Sequence, residues 1–141
     1  MSEIKLSTEE LRYIAMFEQT TGAEVRDCIV DEDRIIYVVE AGNMGAAIGK
    51  NGEHINKVKE NVDKHVELVE YSEDPSEFIK NAFGPVAVSS VNLVNKDDKQ
   101  YAYVQVSNNS KGLAIGSNGK NIDKVKMIAN RHHNIDSVII Q

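Results

Sequence analysis

The stretches "GAAIGKNGEHINKVK" at Gly45–Lys59 and "GLAIGSNGKNIDKVK" at Gly112–Lys126 are two versions of one sentence in the same chain. Aligning Met44–Lys59 with Lys111–Lys126, at an offset of 67, gives identity at 10 of 16 positions. Outside that window the likeness is one of character: Tyr37 and Val39 fall opposite Val104 and Val106, and Leu68 falls opposite Ile135. A repeat at fixed offset organises a chain before any secondary structure is assigned. Two copies of one module, residues 1–72 and 73–141, are therefore expected to fill the sequence.

Each copy reads in the same order. Ser7-Thr8-Glu9-Glu10 is a capping-box pattern, followed by Leu11, Ile14 and Phe17 at helical spacing and a stop at Gly22. In the second copy Asp74 can cap, Pro75 suits the first helical position, and the helix should end at Gly84-Pro85. Strands follow at about Glu24–Val30 and Arg34–Glu40, then Val86–Val94 and Gln100–Val106, joined by the polar turns "DED" and "NKDD". A short helix then enters each Gly-x-x-Gly turn and a longer one leaves it. Ile55, Val58 and Val62, and Ile122, Val125 and Ala129, mark the buried face of that second helix. A last strand closes each copy, at about His65–Glu70 and Asp136–Ile140. The expected fold is α+β, with α-β-β-α-α-β twice and helices packed on a three-stranded sheet.

Composition bounds what the modules can do. With 41% apolar and 27% charged residues in 141, the chain has a soluble globular make-up, and no apolar run is long enough for a membrane span. "LSTEEL" stands where a signal peptide would need a basic and then an apolar stretch, so a cytoplasmic protein is expected. The single cysteine, Cys28, excludes an intramolecular disulfide and reads as a small core residue. Net charge is −6, which by itself opposes a nucleic-acid partner. The acid is concentrated early, however: positions 1–72 hold 8 basic and 15 acidic residues, and 73–141 hold 8 and 7. Glu24, Asp27, Asp31, Glu32, Asp33 and Glu40 crowd the segment before the first repeat, whereas from Lys111 to Arg131 five basic residues face only Asp123.

Glycine at both ends of a four-residue link lets the backbone reverse sharply. It also lets a ligand backbone come close, and the amides opening the next helix, near Gly52 and Glu53, stand at its positive end, where phosphate is favoured. Lys50 inside the first turn, Lys120 just after the second, and Lys57 and Lys124 further along add mobile positive charge. Enzyme templates fit poorly. A Walker loop needs glycine at Met44 and a hydroxyl at Asn51, and a dinucleotide fingerprint needs glycine at Ala47 after a strand. His54, His65, His132 and His133 lack metal-ligand spacing, and no Ser, His and Asp grouping suggests covalent catalysis. No catalytic residue, metal or cofactor is expected. A single Gly-x-x-Gly reads equally as a ligand-free helix turn, but here the charges recur with the glycines. Ile48, Ile55, Ile115 and Ile122 have packing as their default role, with only exposed edges left for a base.

"AAIGKNGEHINKVK" and "LAIGSNGKNIDKVK" resemble K-homology (KH) domains, single-stranded nucleic-acid binders with an Ile-Gly-x-x-Gly loop between two helices. An initial helix and a terminal strand resemble the type II arrangement, and the tandem pair resembles the archaeal NusA-like family of transcription termination factors. That resemblance implies a non-enzymatic RNA-binding factor in transcription termination or antitermination. It implies contacts from Ile48, Gly49, Lys50, Asn51 and Gly52, and from Ile115, Gly116, Ser117, Asn118 and Gly119. The second loop lacks the usual internal basic residue, which leaves its phosphate contact either reliant on Lys120 or weak. Bacterial relatives add a polymerase-binding domain and an S1 domain, and neither is expected in these residues. Implied partners are single-stranded RNA and RNA polymerase or other transcription factors, with no membrane and a monomeric chain. Two other readings share the motifs: a ribosome-associated KH protein, and a protein-interaction module that docks a basic partner on the acidic Glu24–Glu40 segment.

Overall fold

Ser7 starts the first helix as its neighbours dictate. In the computed structural model, which describes residues 4–141, helix α1 runs Thr8–Thr21. The Ser7 hydroxyl accepts from the Glu10 amide at 3.1 Å, and the Glu10 carboxylate accepts from the Ser7 amide at 2.7 Å. This reciprocal box satisfies two donors that a helix start leaves open. Gly22, at φ 77°, ends the helix and returns its amide to the Glu18 carbonyl. Residues 1–3 of the expected first module lie outside the described residues.

The described chain divides into two compact units, one of Lys5–Ser72 and one built mainly of Glu73–Gln141. In the first, α1 is followed by β1 (Val25–Val30), β2 (Arg34–Val39), α2 (Met44–Ile48), α3 (Glu53–Glu60) and β3 (His65–Glu70). Strand β2 is central, antiparallel to β1 and parallel to β3. Parallel neighbours need a crossover connection, and the α2–turn–α3 hairpin supplies it. The run "RIIYVV" is buried along its whole length, as the apolar residues after Arg34 require. Ile35, Tyr37 and Val39 join Phe17, Ala47 and Val58 in the core. The Phe17 and Tyr37 rings lie 4.2 Å apart, and the Tyr37 hydroxyl donates to the Tyr13 carbonyl at 3.0 Å. Arg34 is held by Asp31 at 2.8 Å and Glu67 at 3.3 Å. Burial works to lower its pKa, but these two carboxylates outweigh it and leave the guanidinium raised.

The second unit repeats the order with α4 (Pro75–Ala82), β4 (Val88–Lys96), β5 (Lys99–Val106), α5 (Lys111–Ile115), α6 (Lys120–His133) and β6 (Ser137–Ile140). Strand β5 is central, antiparallel to β4 and parallel to β6. Asp74 caps α4 through the Ser76 amide at 3.1 Å, with Pro75 in the first turn.

Two local expectations are corrected. The "NKDD" turn is tighter than its four residues suggest: Asn95 and Lys96 pair as strand, and Asp97 and Asp98 alone turn the chain at φ 53° and 65°. Two left-handed residues match the twist of a hairpin, and short acidic side chains tolerate that conformation. Val62 does not sit on the buried face of α3, because the helix ends at Glu60 and Asn61 caps it by donating to the Lys57 carbonyl at 2.9 Å. Val62 still packs on the core, from the segment beyond.

Burial pushes the Tyr37 phenol up, with Cys28 and Tyr13 adding to the shift. A raised folded-state pKa means that this contribution to stability is whole below about pH 10, the ordinary tyrosine value, and is lost as pH rises beyond it. Tyr37→Phe should cost about 1 kcal/mol at neutral pH through the lost hydrogen bond. In urea titrations across alkaline pH, the variant should lose stability less steeply than the native chain; parallel slopes would show that Tyr37 is not the responsible group.

Candidate nucleic-acid interface

Both Gly-x-x-Gly turns follow one backbone path. Gly49 has φ 76° and ψ 173°, and Gly116 has φ 78° and ψ 169°. Only glycine populates that region readily. A Cβ on Gly49 would stand 2.7 Å from the His54 ring and 2.9 Å from its amide nitrogen, and one on Gly116 would stand 2.9 Å from the Asn121 Cβ and amide. The first glycine of each turn therefore lets the second helix pass directly against it. The second glycine serves differently. Gly52 and Gly119 are left-handed, at φ 76° and 73°, with nothing nearer than 3.6 Å to an added Cβ.

The residue before it explains itself by the same geometry. Asn51 and Asn118 both take φ 56°, a left-handed conformation that asparagine accepts more readily than most side chains. Their recurrence follows from the backbone, a role that the sequence motif does not distinguish from ligand contact. Each turn is also pinned from the following helix. The Asn121 amide donates to the Ala114 carbonyl at 3.0 Å, and His54 Nδ1 lies 2.7 Å from the Ala46 carbonyl. A carbonyl only accepts, so Nδ1 carries the proton there.

The helix-start amides have partners inside the turn. Gly52 donates to the Gly49 carbonyl at 3.2 Å and Glu53 to Lys50; Gly119 donates to Gly116 at 3.1 Å and Lys120 to Ser117. The Gly52 and Glu53 amides, expected to face a phosphate, are thus engaged within the turn, while the side chains of the tip, Lys50-Asn51 and Ser117-Asn118, are exposed. Ile48 and Ile115, expected mainly to pack, are 40% and 44% exposed beside the tips. Ile55 and Ile122 are half-buried behind them.

The cations do not all gather there. Lys50 and Lys120 are exposed. Lys57 is exposed, with its Nζ 3.7 Å from Glu53, a loose surface pair. Lys124, expected as a mobile charge, is 4% exposed, so its ammonium cannot swing out to a phosphate. Half of the acidic crowd is engaged within its own unit, while Glu24, Glu32 and Asp33 are exposed. Asp27 is fully buried and accepts from the Cys28 amide at 2.8 Å, Asp31 holds Arg34, and Glu40 meets Arg26 at 3.0 Å. Among the described residues no cluster of three or more His, Cys, Asp or Glu could hold a metal, and no helix is long and apolar enough to cross a membrane.

A KH-domain family model matches residues 10–99, and a model of the NusA-like second KH domain matches 75–141. The chain belongs to the NusA-like KH-domain family. The "Probable transcription termination protein NusA" of Halobacterium salinarum is 42% identical over 96% of both chains. That of Methanococcus vannielii is 41% identical over 91% of this chain and 74% of its own. The crystal structure of APE1850 is similar at a TM-score of 0.81 and 36% identity, covering 96% of this chain and 100% of that one. In this NusA-like chain the KH turn is thus present twice, with its backbone intact and one of its two tip residues different, Lys50 against Ser117.

The clash at the first glycine can be measured. Gly49→Ala should destabilise by about 1–3 kcal/mol through the strained backbone. Gly45→Ala, on α2 with open space around the new methyl, should be neutral or stabilising by about 0.5–1 kcal/mol. Urea midpoints compare the two, and equal midpoints would remove the close-approach argument.

Proposed function

We propose that this chain binds single-stranded RNA through its two Gly-x-x-Gly turns and acts in transcription termination or antitermination, by binding and not by catalysis. The observation that carries the reading is the exposed isoleucine beside each glycine-only turn. Ile48 and Ile115, at 40% and 44% exposed, forgo roughly two-fifths of the about 1.5–3 kcal/mol that full burial of such a side chain is worth, a cost that bases covering them would recover. The names of the archaeal relatives supply the process.

The tip and Lys50 hold the sugar-phosphate chain while Ile48 contacts unstacked bases, and contacts of the first kind position while those of the second kind read sequence. In the second turn Ser117 and Asn118 offer hydrogen bonds, Lys120 the charge and Ile115 the apolar edge. Lys57 sits further along α3 and contributes long-range attraction. No cofactor or metal enters this scheme. Two turns on one chain raise the effective concentration of the second contact once the first has formed. RNA polymerase or another transcription factor is the protein partner this role calls for. Asp27, Asp31 and Glu40 are engaged within their own unit, which leaves Glu24, Glu32 and Asp33 as the exposed carboxylates for the second reading, a basic protein docked on Glu24–Glu40.

Fluorescence anisotropy of labelled single-stranded RNA pools tests the proposal. Lys50→Asp with Asn51→Asp should weaken binding on the order of tenfold and lower the salt slope by about 1. Ser117→Asp with Asn118→Asp should weaken it less. Aspartate accepts the left-handed position, so both variants keep the turn. Native protein without RNA affinity, or folded variants that bind like it, would refute the proposal.

A further inference from the structure

We infer that the outer face of the second sheet, centred on Tyr101 and Tyr103, is an additional contact surface for single-stranded RNA, an inference that rests on the RNA-binding reading above. Strand β5 alternates. Ala102, Val104 and Val106 are buried in the core, so Tyr101, Tyr103 and Gln105 point to the opposite face. Register then assembles that face across three strands. Tyr101 pairs with Val94 on β4 and Ser137 on β6; Tyr103 pairs with Asn92 and Ile139. Val94 and Ile139 are 40% and 36% exposed, and the two tyrosines are half-buried between them.

The first unit makes no such surface. The residues on β2 that face away from its core cluster, Ile36 and Val38, are fully buried. The open aromatic face therefore belongs to one copy only, and it is the copy whose turn lacks an internal lysine.

Single-stranded RNA fits this face better than a protein does, on three grounds. The tyrosine rings are near-parallel, 28° apart with centroids at 6.4 Å, and stand two residues apart on one strand. Aromatic rings so placed on an open sheet receive successive unpaired bases. The strands β4, β5 and β6 contain Lys96 and Lys99 and no carboxylate, in a chain of net charge −6. Register sets those two lysines opposite each other at the hairpin end of this same face. Like charges so placed repel; Asp97 and Asp98 in the turn between them offset part of that repulsion, and a polyanion relieves the rest. Of the carboxylates nearby, Asp97 and Asp98 lie in the turn, and Asp136 accepts from the Gln100 amide at 2.8 Å. Exposed Ser90, Asn92 and Gln105 offer donors and acceptors to base edges.

The test uses the full chain and a length series of oligouridine and oligoadenine RNAs, with 5-iodouridine for photo-crosslinking. Native protein should gain affinity once the RNA is long enough to reach past one turn, and crosslinks should map to Tyr101 or Tyr103. Tyr101→Ala with Tyr103→Ala should abolish the gain for long RNA, on the order of tenfold per ring, and leave short RNA unchanged. The double phenylalanine variant keeps the stacking surface and should bind as the native chain does. Crosslinks and the phenylalanine pair decide the matter even if the alanine pair fails to fold. Equal binding of long RNA by a folded alanine pair, or crosslinks confined to the turns, would overturn this inference while leaving the turns as RNA sites. Native protein that binds no RNA at all would overturn both, and the face would then belong to a protein partner.

Discussion

The geometry at Gly49 and Gly116 is the constraint on which the rest depends. There the following helix passes so close that its own amide would lie 2.9 Å from a Cβ. That approach lets a short helix and the helix after it fold back on each other within one connection. The connection in turn lets β3 and β6 lie parallel to the central strands. An ordinary residue at either glycine would push the second helix away, and with it Val58 and Val125, which fill the core from that helix. The same sharp reversal leaves one edge of Ile48 and Ile115 in solvent. The feature that builds the fold also presents the candidate binding edge.

The two copies keep this frame and differ in what they mount on it. In the first, a lysine stands at the tip, the next helix opens with Glu53, and the central strand is buried on both faces. In the second, Ser117 replaces the lysine, Lys120 replaces the glutamate, and the central strand shows two tyrosines on its outer face. Positive charge has moved by three residues rather than vanished. A shared backbone with shifted chemistry suits contacts that differ along one extended ligand.

Electrostatics follows the same local logic. A net charge of −6 looks hostile to RNA, yet several acidic residues of the first unit serve internal work. Asp31 and Glu67 hold Arg34 in place, Asp27 occupies a buried backbone amide, and Glu40 meets an arginine that also lies 3.7 Å from the Tyr71 ring. What a charged ligand meets is the local distribution at the turns. Net charge describes the whole surface and says little about any one edge of it.

Much of this was readable from the chain itself. The repeat, the caps at Ser7 and Asp74, the order of elements along the chain and the two Gly-x-x-Gly turns follow from local rules that act within a few residues, so α-β-β-α-α-β twice could be written from the sequence. Local rules also place Ile48, Gly49 and Lys50 together, since neighbours in sequence remain neighbours in a turn. Long-range packing decided the rest. Lys57 and Lys124 are equivalent in the repeat, yet one is exposed and the other buried, because burial depends on what packs around a helix and not on the helix's own residues. Asn51 and Asn118 recur for a backbone angle that no spacing reveals. Tyr101 and Tyr103 look like ordinary strand residues until register sets Val94 and Ile139 beside them. Pairing between distant strands is a tertiary fact, and the open aromatic face exists only through it.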